Sequence, residues 1–185
     1  MKNASITYFK IIFIITTVFF FSFKTQQGIV PEQIDWDTHF LAKPDKLSPY
    51  AALTVMNWHY SYKSKISGNN LHIDFQFSGG VVPAESWVKP DRIRTRKISR
   101  ELLNHEQGHV NINFLLLKEG EIQVRFQKYN VSNYKRLIQA NANKVGKYYS
   151  DMQSRYDVET EHGANLSAQA RWDDYIREQL NRYEK

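Results

Sequence analysis

The residues best suited to do chemistry are Leu102-Leu103-Asn104-His105-Glu106-Gln107-Gly108-His109-Val110, which contain H-E-x-x-H. On a helix, side chains four apart share a face, so His105 and His109 can direct imidazole nitrogens at one metal ion. Glu106 lies about 100° around the helix, where it can reach a water on that metal as general base without becoming a ligand. Zinc suits the pattern because it accepts imidazole nitrogen and, in catalytic sites, keeps a fourth position open. Gly108 inside a helix costs about 1 kcal/mol relative to Ala, which implies that something packs closely against that turn.

Positioning this motif needs a helix, and the flanking residues predict one. Ser99 is a candidate N-cap with Glu101 in the first turn, and the apolar stripe runs through Phe114 and Leu117. Gly120 either stops or weakens the helix, which can reach about Gln127. A second helix, capped by Ser132, places Tyr134, Ile138, Ala142, Val145, Tyr149, Met152 and Tyr156 at spacings of three and four, a core stripe facing the motif helix. A last helix carries Gln169, Trp172, Ile176 and Leu180.

Upstream the period changes to two. Residues 51–62 alternate, with Thr54, Met56, Trp58, Tyr60 and Tyr62 on one side, and Leu71, Ile73, Phe75 and Phe77 repeat the pattern after a turn at Ser67-Gly68-Asn69-Asn70. The two form an antiparallel hairpin ended by Gly79-Gly80, with His59 and His72 on its wet face. Ile34, Trp36, Phe40 and Leu41 anchor the turn-rich lead-in of residues 25–50. The expected fold is α+β: a small antiparallel sheet packed against two long helices, with HExxH on the first.

Composition bounds the function. A chain of 185 residues suits one domain, and 14% aromatic content supplies core material. With no cysteine there are no disulfides, thiolate metal sites or cysteine nucleophiles. Ile11 to Phe23 is an apolar run of signal-peptide length, short for a membrane span. Residues 1–24 therefore read as a signal peptide or N-terminal anchor, with possible membrane association. The rest, 25–185, is a domain exported to the periplasm or beyond. Of the formal charge of +6, the three lysines of residues 1–24 account for half. The remainder is too weak to indicate nucleic acid. The basic run from Lys89 to Lys97 reads as a solvated loop.

Taken together, Ser86-Trp87-Val88-Lys89-Pro90, His105-Glu106-Gln107-Gly108-His109, Tyr156-Asp157 and Thr160-Glu161-His162-Gly163, with Gln169 and Trp172 downstream, resemble the domain of unknown function 922 family. Its members are described as predicted secreted zinc-dependent proteases. The resemblance implies a zincin-like metallopeptidase domain acting on a peptide or protein substrate, with Glu106 as the catalytic base. In that architecture a strand edge lies beside the motif helix. A metal-stabilised envelope scaffold with little turnover, and a zinc amidase acting on cell-wall material, are the alternatives.

The third zinc ligand has two candidates. His162 is favoured by imidazole chemistry and by its place in the family-like run, provided the helix ends before it at a Gly163 stop. Glu159 is favoured by helical register, three residues beyond Tyr156. His162 is the preferred ligand and Glu159 the runner-up, with Asp157 and Glu159 able to support a ligand by hydrogen bonding.

Overall fold

A computed structural model describes residues 30–183. The expected export segment, residues 1–24, lies outside them. Among the described residues no helix is long and apolar enough to cross a membrane.

The fold is α+β. A short helix α1 (Trp36–His39), capped by the Asp35 carboxylate, precedes strands β1 (Ala52–Leu53), β2 (Met56–Ser67), β3 (Asn70–Val81) and β4 (Trp87–Val88). Three long helices follow, α2 (Arg96–Arg125), α3 (Tyr134–Thr160) and α4 (Leu166–Leu180). The strands form two separate two-stranded antiparallel sheets, β1–β4 and β2–β3.

The strand expected over 51–62 is broken at Thr54 and Val55, and its second part runs on to Ser67. Ser86 causes the break. Fully buried, it donates from Oγ to the Val82 carbonyl (3.0 Å) and accepts from Val55 N–H (2.9 Å). Val55 thereby leaves the ladder, and the chain turns from one sheet into the other.

The β2–β3 hairpin turns at Gly68 and Asn69, with Gly68 at φ 59 as a tight two-residue turn demands. Gly79-Gly80 does not end β3, which continues to Val81. A Cβ at Gly79 would lie 2.7 Å from the Asn57 carbonyl oxygen, so the glycine permits close strand pairing. One hairpin face, with Tyr60, Tyr62, Ile73, Phe75 and Phe77, packs on Val124, Ile138 and Ala142. His59 and His72 are exposed on the other face, as the alternation implies.

The α3 stripe from Tyr134 to Tyr156 is buried throughout. It meets Ile112, Leu115 and Leu116 of α2, and Trp172 and Ile176 of α4. Helix α2 starts earlier than expected because Thr95, not Ser99, is its cap, accepting from Ile98 N–H. Ser99 instead receives the Trp36 indole N–H (3.0 Å) and ties the lead-in to α2. Likewise Asn133, not Ser132, precedes α3. Gly120 does not stop α2: its missing side chain makes room for Trp58, whose indole also lies against Gly146 of α3. In the lead-in, Ile34 and Phe40 are buried with Ala52 and Val110, whereas Leu41 is exposed.

Candidate metal centre

His105 and His109 lie on the face of α2 turned toward α3. The His105 ring is 2% exposed as a residue and stacks on the Tyr156 ring, with centroids 4.7 Å apart and planes 12° from parallel. Gly108 explains how Tyr156 comes so close. A Cβ there would fall 2.1 Å from the phenol oxygen, so only glycine admits the ring. The phenol donates to the His105 carbonyl (3.0 Å) and accepts from Gln169 Nε2 (2.6 Å). Burial pushes this phenol well above its usual pKa, so it stays protonated and able to donate.

Each histidine is held by a glutamine. Gln169 Nε2 donates to Tyr156 and to Asp173, which leaves its Oε1 as the acceptor for His105 Nδ1–H at 3.2 Å. Gln153 Nε2 donates to the His109 carbonyl, and its Oε1 lies 2.6 Å from His109 Nδ1. With both Nδ1 atoms donating, both Nε2 lone pairs face inward, 3.3 Å apart.

Between them stands Asp157. Its Oδ1 lies 3.0 Å from His109 Nε2, 3.3 Å from His105 Nε2 and 3.3 Å from His162 Nδ1. Three acceptors this close repel one another unless a proton or a metal ion lies among them. The separations suit a metal ion, because tetrahedral ligands about 2.0 Å from zinc are spaced by about 3.3 Å. His105, Asp157 and His162 form a group able to hold a metal, with ligand atoms all within 4.8 Å of one another. With no metal bound, burial disfavours charge on His109, yet the hydrogen bond it donates to Asp157 and the nearby Glu106 charge raise its pKa. Burial would raise the Asp157 pKa, but the hydrogen bonds to His105 and His109 hold it far below the usual carboxylate range.

Glu106 is 4% exposed and lines the same cleft. Thr54, in the break between β1 and β2, donates to its Oε2 at 2.6 Å. The Ser86 latch that makes the break thus also aims the carboxylate. The rest of the Ser86–Pro90 run builds the wall behind it: Trp87 and Val88 pair with Leu53 and Ala52, and Lys89 reaches the Ser48 carbonyl.

The helix ends before His162, as the choice of that residue required. The stop is broader than Gly163 alone, since Glu161, His162 and Gly163 take φ of 51°, 52° and 84° in succession. Gly163 approaches His105 so closely that a Cβ would lie 2.9 Å from the His105 Cβ. Glu159, the runner-up ligand, is carried elsewhere. It accepts from the Trp172 indole (2.8 Å) and pairs with Arg155, lining a different pocket. Register brought it near α4 rather than α2. Asp157, expected only as a support, stands instead among the donor atoms. Asp157→Ala is accordingly expected to lower zinc affinity by more than about 100-fold, beyond what groups that merely orient a ligand give. Glu159→Ala should stay within a few-fold in the same competitive chelator titration, and a larger loss from the glutamate change would reverse the assignment.

Sequence reasoning did not anticipate Gln153 or Thr54. Gln153 and Asp157 are four apart on α3, each one position past a buried stripe residue, so their shared face was visible in the spacing. Thr54 carried no signal, because its role depends on a strand break.

No curated protein and no solved structure matches this chain. The family model for bacterial proteins of unknown function, DUF922, matches residues 38–163, from the lead-in through the His162-Gly163 turn, and the chain belongs to that family.

Proposed function

We propose that the protein is an exported zinc-dependent hydrolase that cleaves peptide bonds in a zincin-like arrangement, with Glu106 as general base. The observation that carries this reading is the convergence of two glutamine-held imidazoles and Asp157 in the cleft that also contains the Thr54-held carboxylate. His105, His109 and Asp157 would hold the metal, and His162 forms with His105 and Asp157 a group able to hold one. A zinc ion there supplies a water acidified to pKa near 7 and polarisation of the scissile carbonyl.

The remaining work falls to the chain. The Thr54 hydroxyl fixes one Glu106 oxygen, and among the described residues no other donor reaches that carboxylate. The second oxygen can therefore take a proton from a water in the cleft and return it to the leaving amine. Residues 50–54 form one lip of a cleft of about 300 Å³, and among the described residues β1 is paired only with β4. Its other edge can accept an extended peptide as an added strand.

The first test is metal content. The domain purified without chelator is expected to carry close to one equivalent of zinc by elemental analysis, and His105→Ala or His109→Ala to carry none. A wild-type domain that neither retains nor takes up zinc overturns the reading. Zinc without hydrolysis of any member of a mixed peptide library would favour a metal-stabilised scaffold instead.

A further inference from the structure

The cleft holds one donor too many for the chemistry just described. His105, Asp157 and His162 bring ligand atoms within 4.8 Å of one another, and His109 Nε2 lies 3.3 Å from His105 Nε2, with Asp157 Oδ1 3.0–3.3 Å from each histidine. Were all four to bind one zinc ion the site would be closed, as in structural sites, whereas hydrolysis needs a free position. Yet Glu106 is poised in the same cleft for work that only an open site allows.

The four donors are not held alike. His105 and His109 each have Nδ1 tied to a glutamine, and both lie within α2 against the Tyr156 ring. Asp157 belongs to α3. His162 lies beyond the helix end at φ 52, in a backbone region that costs a non-glycine residue energy. Its side chain is 47% exposed. Among the described residues its ring has one polar partner, Asp157, and one ring contact, Tyr50, at 4.5 Å between centroids.

We infer that His162 is an exchangeable ligand: it closes the metal site in the resting protein and leaves it when substrate enters. This rests on the zinc-hydrolase reading above. Tyr50 supplies the coupling. It stands at the start of the lip formed by residues 50–54, so a peptide laid along that lip meets the Tyr50–His162 contact first. Parting the two rings frees His162, and its place opens to water. The energetic difference is between a buried, hydrogen-bonded imidazole and an exposed one, so His162 is the donor that yields.

The test uses the cobalt(II)-loaded domain and acetohydroxamate, a small bidentate ligand for an open metal position. His162→Asn keeps a side chain that tolerates positive φ and removes the imidazole. Expected are retained cobalt, a changed visible spectrum and acetohydroxamate binding about tenfold tighter than wild type, as removal of a predominantly closed state requires. Tyr50→Ala, which leaves all four donors intact, should shift the affinity in the same direction. The proposal is overturned if His162→Asn loses cobalt as completely as His109→Ala, which makes His162 a permanent ligand. It is equally overturned if spectrum and hydroxamate affinity match wild type in both variants. Failure of the wild type to take up cobalt would instead remove the zinc-hydrolase reading, and this inference with it.

Discussion

Glu106→Gln is expected to keep zinc within a few-fold of wild-type affinity and to lower peptide hydrolysis by about 10²–10⁴-fold. Glutamine preserves the shape and can still accept the Thr54 hydroxyl, so the 2.6 Å contact and the cleft wall survive. What it cannot do is take a proton at the second oxygen. Metal content and initial rates on a peptide mixture, measured on the same preparations, separate the two effects. Loss of zinc in this variant would make Glu106 a ligand, and an unchanged rate would place the base elsewhere. Thr54→Val offers a milder comparison, since it leaves the carboxylate but frees its orientation.

The second large effect is expected from Gly108→Ala. In an ordinary helix this change stabilises by about 1 kcal/mol. Here the new methyl would overlap the Tyr156 phenol, 2.1 Å from its oxygen and 2.5 Å from Cζ. Tyr156 is completely buried and hydrogen-bonded at its tip, so it has no free direction in which to retreat. Overpacking and the broken hydrogen bonds together should outweigh the helix gain, giving a net loss of about 2–4 kcal/mol in urea denaturation of the metal-free domain. Because Tyr156 stacks on His105, zinc affinity should fall in parallel. Gly146→Ala is the control: its Cβ would meet the Trp58 ring at 3.5 Å, ordinary contact, so the usual helix gain should appear. A gain at Gly108 as well would mean that Tyr156 does not occupy that turn.

How far the sequence led depended on the range of the interactions. The HExxH pair, the α3 stripe from Tyr134 to Tyr156 and the alternation of the hairpin are written in local periods, and all appear in the fold. Gly108 pointed to a close neighbour without naming it. The third donor was harder, because a helical register stops informing once the chain leaves the helix. Register favoured Glu159, which the fold turns toward Trp172, while His162 reaches the cleft only through three residues of left-handed backbone. Asp157, expected as a hydrogen-bonding support, comes to stand among the donor atoms because α3 continues to Thr160 and carries it past Tyr156 to the two histidines. Thr54 and Ser86 act across more than thirty residues of separation, through a strand break that alternation of residue types does not encode.

The placement of Trp58 has a consequence for the order in which the molecule assembles. Its indole is bracketed by glycines of two different helices, and the hairpin face around it is covered by Val124 of α2 and by Ile138 and Ala142 of α3, about fifty to seventy residues downstream of Phe75. During synthesis the hairpin therefore emerges long before the surface that buries it. Tyr60, Tyr62, Phe75 and Phe77 gain part of their cover with α2 and the rest only once α3 has been made. Such dependence on distant contacts slows folding and leaves a sticky aromatic strand pair open to wrong partners in the interval. Until then the aromatic face of the hairpin is incompletely covered in the nascent chain.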